Sequence, residues 1–358
     1  MTSLLQWGAT LIRLYESHHS ATQTTSRTTT NVSTDSATTY LHPDRNLGME
    51  LVRATEAAAI RAVPFIGRGD KNAADGAAVD AMRKFLGTVE FDGVVVIGEG
   101  EKDHAPMLYN GEHVGSGEGP SCDIAVDPID GTSLTAAGRQ NALSMIAVSD
   151  RGSMYDPSAV FYMEKIVTGW EGHGVVDLNR PIGENIRALA KAKGKDVSDM
   201  VVAVLDRPRH QQLVEDIRAS GAGTRMLLDG DVAGGINAAM HGTRIDMCVG
   251  TGGTPEGIIT ACALKALGGF IQGRLLPRDD DERQRAIDAG HDLDRVLEVN
   301  DLVTSDNTYF VATGVTDGQL VDGVRKKGPA IRTESIILRG RSGTVRRVVA
   351  EHLAEKWL

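Results

Sequence analysis

Aromatic residues are scarce in this 358-residue sequence: six Phe, six Tyr and three Trp make up 4% of it. Basic charge is not in excess either, with 38 Lys and Arg against 48 Asp and Glu and a formal net charge of -10. Nucleic acid and anionic membrane surfaces reward a basic face, so neither is an expected partner. Cysteine is limited to Cys122, Cys248 and Cys262, an odd number without a Cys-x-x-Cys pair. No disulfide framework is expected, and a reducing cytoplasm is the expected compartment. No apolar run approaches the roughly 18–20 residues needed to span a bilayer. The mildly apolar Leu4–Tyr15 is interrupted by Gln6, Gly8, Thr10 and Arg13, with no basic stretch ahead of it, which reads against a secretory signal. Motifs of other chemistries are missing too. There is no Gly-x-Ser-x-Gly and no Walker A sequence, and Gly115-Ser-Gly-Glu-Gly-Pro120 fails the dinucleotide pattern because Pro120 takes its last position.

What is present is an α/β grammar. The 41 glycines and 41% hydrophobic residues suit a globular chain rich in tight turns, long enough for two α/β domains. Residues Ser20–Thr39 are more than half Ser and Thr and have no apolar period, so 1–44 reads as a disordered tail, with a transit-like peptide as the alternative. Helical spacing covers Met49–Phe65 and Ala77–Leu86, with a polar loop at 67–76 between them. Then one shape recurs: a β-branched run ending in Gly and carboxylates. It occurs at Gly93–Ile97 before Glu99, at Asp123–Val126 before Asp127, at Met200–Leu205 before Arg207, at Arg225–Leu228 before Asp229, and at Asp246–Val249 before Glu256. Helical patterns follow over Gln211–Ala219, Val232–Met240 and Gly257–Leu267. In such folds ligand chemistry gathers at strand ends.

The densest chemistry is Asp127-Pro128-Ile129-Asp130-Gly131-Thr132. Pro128 stops the strand, Gly131 permits a tight turn, and both carboxylates can turn toward one point beyond the sheet. Alone this is as easily an Asp-Pro turn. Asp75, Glu99 and Glu256 repeat the theme at other strand or loop ends. Oxygen ligands without His or Cys spacing select Mg²⁺ or Mn²⁺, and paired hard cations suit phosphoryl transfer. Thr132 is placed to orient a water. Arg207-Pro208-Arg209 offers a basic clamp for a phosphate beyond reach of the metals, against the bland reading of a solvated turn. Asp231 is as easily a plain helix N-cap. The acidic run Asp279–Glu282 reads as a solvated helix start.

Taken together these stretches resemble the lithium-sensitive, inositol-monophosphatase-like phosphatases, and within them the bacterial class II fructose-1,6-bisphosphatases. Further support comes from Gly67-Arg-Gly-Asp-Lys-Asn72, Phe161-Tyr-Met-Glu-Lys165, Asp229-Gly-Asp-Val-Ala233 and Gly253-Thr-Pro-Glu-Gly257. The resemblance implies metal ligands at Asp75, Glu99, Asp127, Asp130 and Glu256, with Asp75 and Thr132 serving the nucleophilic water. It implies that Asp130, Gly131 and Thr132 lie against the scissile phosphate. Sugar-phosphate contacts would come from Tyr162, Arg207, Pro208, Arg209, Asp229, Gly230, Asp231 and Gly253, and Lys71 matches a basic residue near the metals.

The implied fold is α/β (α+β), a layered α/β/α/β/α sandwich of two domains: 45–180 for the metals and 181–358 for the sugar phosphate. The implied activity is metal-dependent hydrolysis of fructose 1,6-bisphosphate in gluconeogenesis by a cytoplasmic homo-oligomer, a tetramer or dimer. Sedoheptulose 1,7-bisphosphate or an inositol phosphate is the alternative substrate. A sugar-phosphate sensor without turnover is the alternative from another class.

Overall fold

A computed structural model of the chain describes residues 47–98 and 108–357. The expected tail over 1–44 and the expected ligand Glu99 lie outside the described residues. The chain lays down β1 (Asp92–Ile97), β2 (His113–Val114), β3 (Ser121–Asp130) and β4 (Leu143–Asp150) in a first sheet. It then builds a second sheet from β5 (Tyr162–Thr168), β6 (Val201–Leu205), β7 (Gly223–Leu227), β8 (Met247–Gly253), β9 (Phe270–Leu276) and β10 (Leu297–Glu298). Finally it returns to the first sheet with β11 (Tyr309–Gly314), β12 (Arg325–Lys327), β13 (Ala330–Arg339) and β14 (Thr344–Leu353). Position 180 falls between β5 and β6, both strands of the second sheet.

The helices are α1 (Leu47–Ala62), α2 (Lys71–Leu86), α3 (Thr132–Ala136), α4 (Ile182–Lys193), α5 (Gln211–Ala219), α6 (Val232–Ala239), α7 (Thr254–Leu267), α8 (Asp280–Asp288) and α9 (Val299–Leu302). Three buried clusters show how they stack. One joins α1 and α2 to the outer face of the first sheet. A second fills the space between the sheets around α6 and α7. A third joins α4 and α5 to the outer face of the second sheet. The result is the layered α/β/α/β/α arrangement expected from the sequence. Its middle layer explains the composition of α7, where Ile258, Ile259, Ala261, Cys262, Ala263 and Leu264 are all buried. A helix sandwiched between two sheets is apolar on nearly every side.

Two expectations need correction. The stretch 67–76 is not all loop, because α2 begins at Lys71, capped by the Asp70 side chain accepting from the Ala73 N–H at 2.9 Å. The acidic run before α8 is not wholly solvated. Asp279 caps the helix, but Glu282 is buried and accepts backbone hydrogen bonds from Phe161 and Arg278.

Candidate active site

Two carboxylates three positions apart on a regular strand point to opposite faces. At β3 an irregularity repairs this. Asp127 pairs with Met145 and Asp130 with Leu143, so Pro128 and Ile129 oppose the single residue Ser144. Pro128 has no N–H for the ladder, and the extra residue is accommodated as a bulge. Residues directly opposite share a face, so Asp127 and Asp130 both lie on the side of Met145 and Leu143, facing the second sheet. Gly131 follows at φ 87°, the left-handed turn that only glycine makes without strain, and Thr132 opens α3.

The loop before α2 is tied to this motif. Gly67 and Gly69 donate their N–H groups to the carbonyls of Thr135 and Ala136 at 2.9 Å. That brings the start of α2 against α3, with Lys71 exposed at the first helical position and Asp75 half-buried on the second turn. Asp75 therefore belongs to a helix rather than to the polar loop from which it was expected.

Across the inter-sheet space, Asp130 meets the turn after β7. Gly230 has φ +65°, and a Cβ there would run into both carboxylate oxygens of Asp130. Alanine at 230 would strain the turn and push the Asp130 carboxylate aside. Since misplacement of a reacting group by about 1 Å can cost about a hundredfold in rate, Gly230→Ala should lose between ten- and a hundredfold in kcat/KM while keeping its circular dichroism spectrum.

Asp231 does not cap α6 with its side chain. Its carboxylate instead forms a buried ion pair with Lys165 Nζ at 2.8 Å, and Lys165 also donates to the Gly253 carbonyl at 3.0 Å. Glu256, in the first turn of α7, folds back over Gly253, where a Cβ would overlap its carboxylate. Lys165 was not among the expected site residues. Its signal was a lysine in the apolar run Ile166-Val167-Thr168 and after Met163, on a strand whose every residue from Lys165 onward is buried.

The sugar-phosphate candidates also come together. Tyr162 pairs with Gly253 across β5 and β8. The Arg209 guanidinium lies 5.0 Å over the Tyr162 ring and donates to the Thr251 carbonyl at 2.7 Å. Arg207 donates to Asp229 at 2.6 Å and to the Leu228 carbonyl at 2.7 Å. Behind them sits His210, another residue not singled out from sequence. Strands β6 and β8 pair at only two positions, and His210 fills the gap beyond. Its Nε2 accepts from the Thr251 N–H at 2.8 Å, which leaves Nδ1 to carry the proton and donate to the Leu205 carbonyl at 2.8 Å. Burial lowers its pKa, in keeping with a neutral ring. A cavity of about 570 Å³ opens beside Asp229 and Gly230, lined also by Arg139, Arg225 and Asn237. Its volume is in the range of small-molecule sites.

The electrostatics of this cluster are unbalanced. Burial, then Glu256, Asp231 and Asp229, pushes Asp130 well above its ordinary 3.8. Burial also raises Glu256, although Lys165 works against it. Burial alone would lower Lys165, but Asp231 and Glu256 outweigh it and the net shift is upward. Lys165 is the buried cation facing Asp130, Asp231 and Glu256, Asp229 is held by Arg207, and Glu256 Oε2 is buried with no hydrogen-bond partner among the described residues. An oxygen-only donor set with surplus negative charge fits hard divalent cations. Among the described residues no three of His, Cys, Asp and Glu are gathered closely enough to hold one ion. Glu99, the remaining expected ligand, lies outside them.

The family described as "Bacterial fructose-1,6-bisphosphatase, glpX-encoded" matches residues 45–352. The "Fructose-1,6-bisphosphatase class 2" of Haemophilus influenzae is 44% identical over 322 residues, covering 86% of this chain and 96% of its own. The "Fructose-1,6-bisphosphatase 1 class 2" of Escherichia coli K12 is 43% identical over 325 residues, covering 87% and 96%. The chain belongs to the glpX-encoded bacterial fructose-1,6-bisphosphatase family.

Proposed function

We propose that this chain hydrolyses fructose 1,6-bisphosphate to fructose 6-phosphate and phosphate. The observation that carries the reading is identity of 43–44% to class 2 fructose-1,6-bisphosphatases across 96% of their length. Asp75, Glu99, Asp127, Asp130 and Glu256 are the residues to hold divalent cations, with Mg²⁺ or Mn²⁺ favoured by the hard oxygen donors. Bound there, such cations supply charge neutralisation at the phosphate and a more acidic water. The part 45–180 gives these ligands except Glu256, and 181–358 gives the sugar contacts except Tyr162.

The chain's own residues do the rest. Thr132 offers a hydroxyl at the head of α3, where it can orient a water against the phosphorus. Asp75 accepts a proton from that water. The N–H groups after Gly131 donate to the phosphate oxygens. Arg207 and Arg209 hold the second phosphate, with Tyr162 packed under Arg209 to fix its plane. Asp229 and Asp231 accept from sugar hydroxyls. Lys165 holds Asp231 in place through their 2.8 Å contact.

The cytoplasm is the proposed compartment. Its support is the three cysteines, all free and buried. No helix among the described residues is long and apolar enough to cross a membrane.

The pKa shifts carry a pH prediction. An acid whose folded value is raised binds its proton more tightly folded than unfolded. Without cations, Asp130 and Glu256 therefore cost stability as pH rises from their ordinary values of 3.8 and 4.5 through the raised ones. A cation removes that cost. The rise in melting temperature on adding Mg²⁺ or Mn²⁺ to EDTA-treated protein should thus be larger at about pH 7.5 than at about pH 5.5. At a hundredfold excess over the dissociation constant the gain is about 2.7 kcal/mol. Differential scanning calorimetry at the two pH values checks it, and a gain that grows toward acid would contradict it.

The substrate is tested by phosphate release from fructose 1,6-bisphosphate, sedoheptulose 1,7-bisphosphate and inositol 1-phosphate in parallel. Highest kcat/KM on fructose 1,6-bisphosphate is expected. Preference for inositol 1-phosphate would keep the chemistry and reject the sugar. Tight binding without release from any of them would turn the reading to a sensor.

A further inference from the structure

The turn between β6 and α5 carries both arginines of the clamp, Arg207 and Arg209, and His210 closes it. The His210 N–H donates to the Arg207 carbonyl at 2.9 Å. Its ring, 3% exposed, donates back to the Leu205 carbonyl at 2.8 Å and accepts from the Thr251 N–H of β8 at 2.8 Å. Residue Thr251 is also the anchor of Arg209. Its carbonyl accepts from Arg209 Nη2 at 2.7 Å and from Nε at 3.2 Å. Strand β8 passes close to the ring, since a Cβ at Gly250 would lie 3.0 Å from its Cε1 and Nε2. The ring thus joins β6 to β8 just beyond the paired Ala203 and Cys248, where the two strands have parted. We infer that His210 is a positioning residue for the substrate's second phosphate, holding the 207–210 turn against β8 through Thr251. The inference rests on the reading of Arg207 and Arg209 as the clamp for that phosphate.

Only a neutral imidazole can make both bonds. A backbone carbonyl accepts and a backbone N–H donates, so the ring donates at Nδ1 and accepts at Nε2. A second ring proton would sit on Nε2, facing the Thr251 N–H, and that bond would be lost. Thr251 would then shift and carry the anchor of Arg209 with it, and the guanidinium lies over Tyr162 on that anchor. The charged groups around the ring come from four elements. Arg207 and Arg209 stand on its own turn, and Asp231 stands at the head of α6. Lys165 of β5 and Cys248 of β8 line the small space behind the ring together with Asp231, which Lys165 pairs. Burial leads in holding the ring below its ordinary 6.5, aided by the two arginines and opposed by the Leu205 bond and Asp231. The turn is therefore tied to β8 at neutral pH and released in acid.

Steady-state kinetics of His210→Ala, with Mg²⁺ present throughout, is the first test. Misplacing a binding group by about 1 Å can cost about a hundredfold, so KM for fructose 1,6-bisphosphate should rise about ten- to a hundredfold. The scissile phosphate is held elsewhere, so kcat should fall less than about threefold. Fructose 6-phosphate carries only the second phosphate, and calorimetric titration should show its dissociation constant rising by the same factor as KM. His210→Gln keeps a donor and an acceptor without a titrating ring, and should return KM to within about threefold of the wild type. From about pH 7.5 to about pH 5.5 the wild-type KM should rise more than that of His210→Gln, because titration of the substrate's own phosphates is common to both. A folded His210→Ala protein with unchanged KM and unchanged affinity for fructose 6-phosphate would overturn the proposal. So would a kcat that falls as far as KM rises, with no recovery in His210→Gln. If His210→Ala does not fold, equal pH dependence of KM in the wild type and His210→Gln overturns it. A wild type that releases no phosphate would reject the substrate reading, and the fructose 6-phosphate titration would still decide the part played by His210.

Discussion

Replacing Glu256 by glutamine should abolish most of the activity and at the same time make the cation-free protein more stable. The carboxylate's Oε2 is buried with no partner among the described residues, and desolvation raises its pKa. Glutamine keeps its shape and removes a charge that Asp130, Asp231 and Asp229 already oppose. Loss of a ligand to a catalytic cation removes several kcal/mol of transition-state stabilisation, and each 1.36 kcal/mol is tenfold, so kcat should fall about 10²–10³-fold. The melting temperature in EDTA should rise, and the further rise on adding cation should shrink. Asp127→Ala should lose activity to a similar degree. A Glu256→Gln enzyme with full kcat would remove Glu256 from the ligand set. A lower melting temperature in EDTA would show that the wild-type carboxylate is satisfied by contacts of its own.

The second large effect runs the other way. Lys165→Met should destabilise the protein whether or not cation is present. The methionine stem fills the same space, so packing is nearly kept, but Asp231 loses its 2.8 Å partner while its side chain stays about one-tenth exposed. Breaking a buried pair from one side typically costs about 3–5 kcal/mol, a large part of the 5–15 kcal/mol that holds a domain together. The Gly253 carbonyl loses its donor as well. Denaturant unfolding measures the loss. A cost under about 1 kcal/mol would mean that Asp231 is hydrated without Lys165. The double variant Lys165→Met/Asp231→Asn should recover most of the stability, because the unpaired charge is gone, but not the activity.

Much of the site could be read from the sequence because each acid stands at the end of a β-branched run, and strand ends are where a sheet offers its ligands. The structure brings Asp130, Asp229, Asp231 and Glu256, each singled out at such an end, together across the inter-sheet space, while the α/β class followed from the alternation of strand and helix and the layered arrangement from the family resemblance. The rest depended on residues distant in the chain. Whether Asp231 caps α6 or pairs with a base is settled by Lys165, on a strand formed much earlier. The role of His210 depends on β6 and β8 parting after two paired positions, which local periodicity does not encode. Glycines at 67, 69 and 76 read as loop and hid the cap at Asp70, so α2 was expected too late. Glu282 looked solvated among its acidic neighbours because its partners, the backbone N–H groups of Phe161 and Arg278, belong to tertiary and turn structure.

The most direct test of the central claim is phosphate release from fructose 1,6-bisphosphate by the purified full chain, with Mg²⁺ or Mn²⁺ and with EDTA in their place. Release that requires the cation, stops on chelation and returns when cation is restored is the expected result. Release that continues at the same rate in EDTA would contradict a site built from carboxylates to hold metal ions.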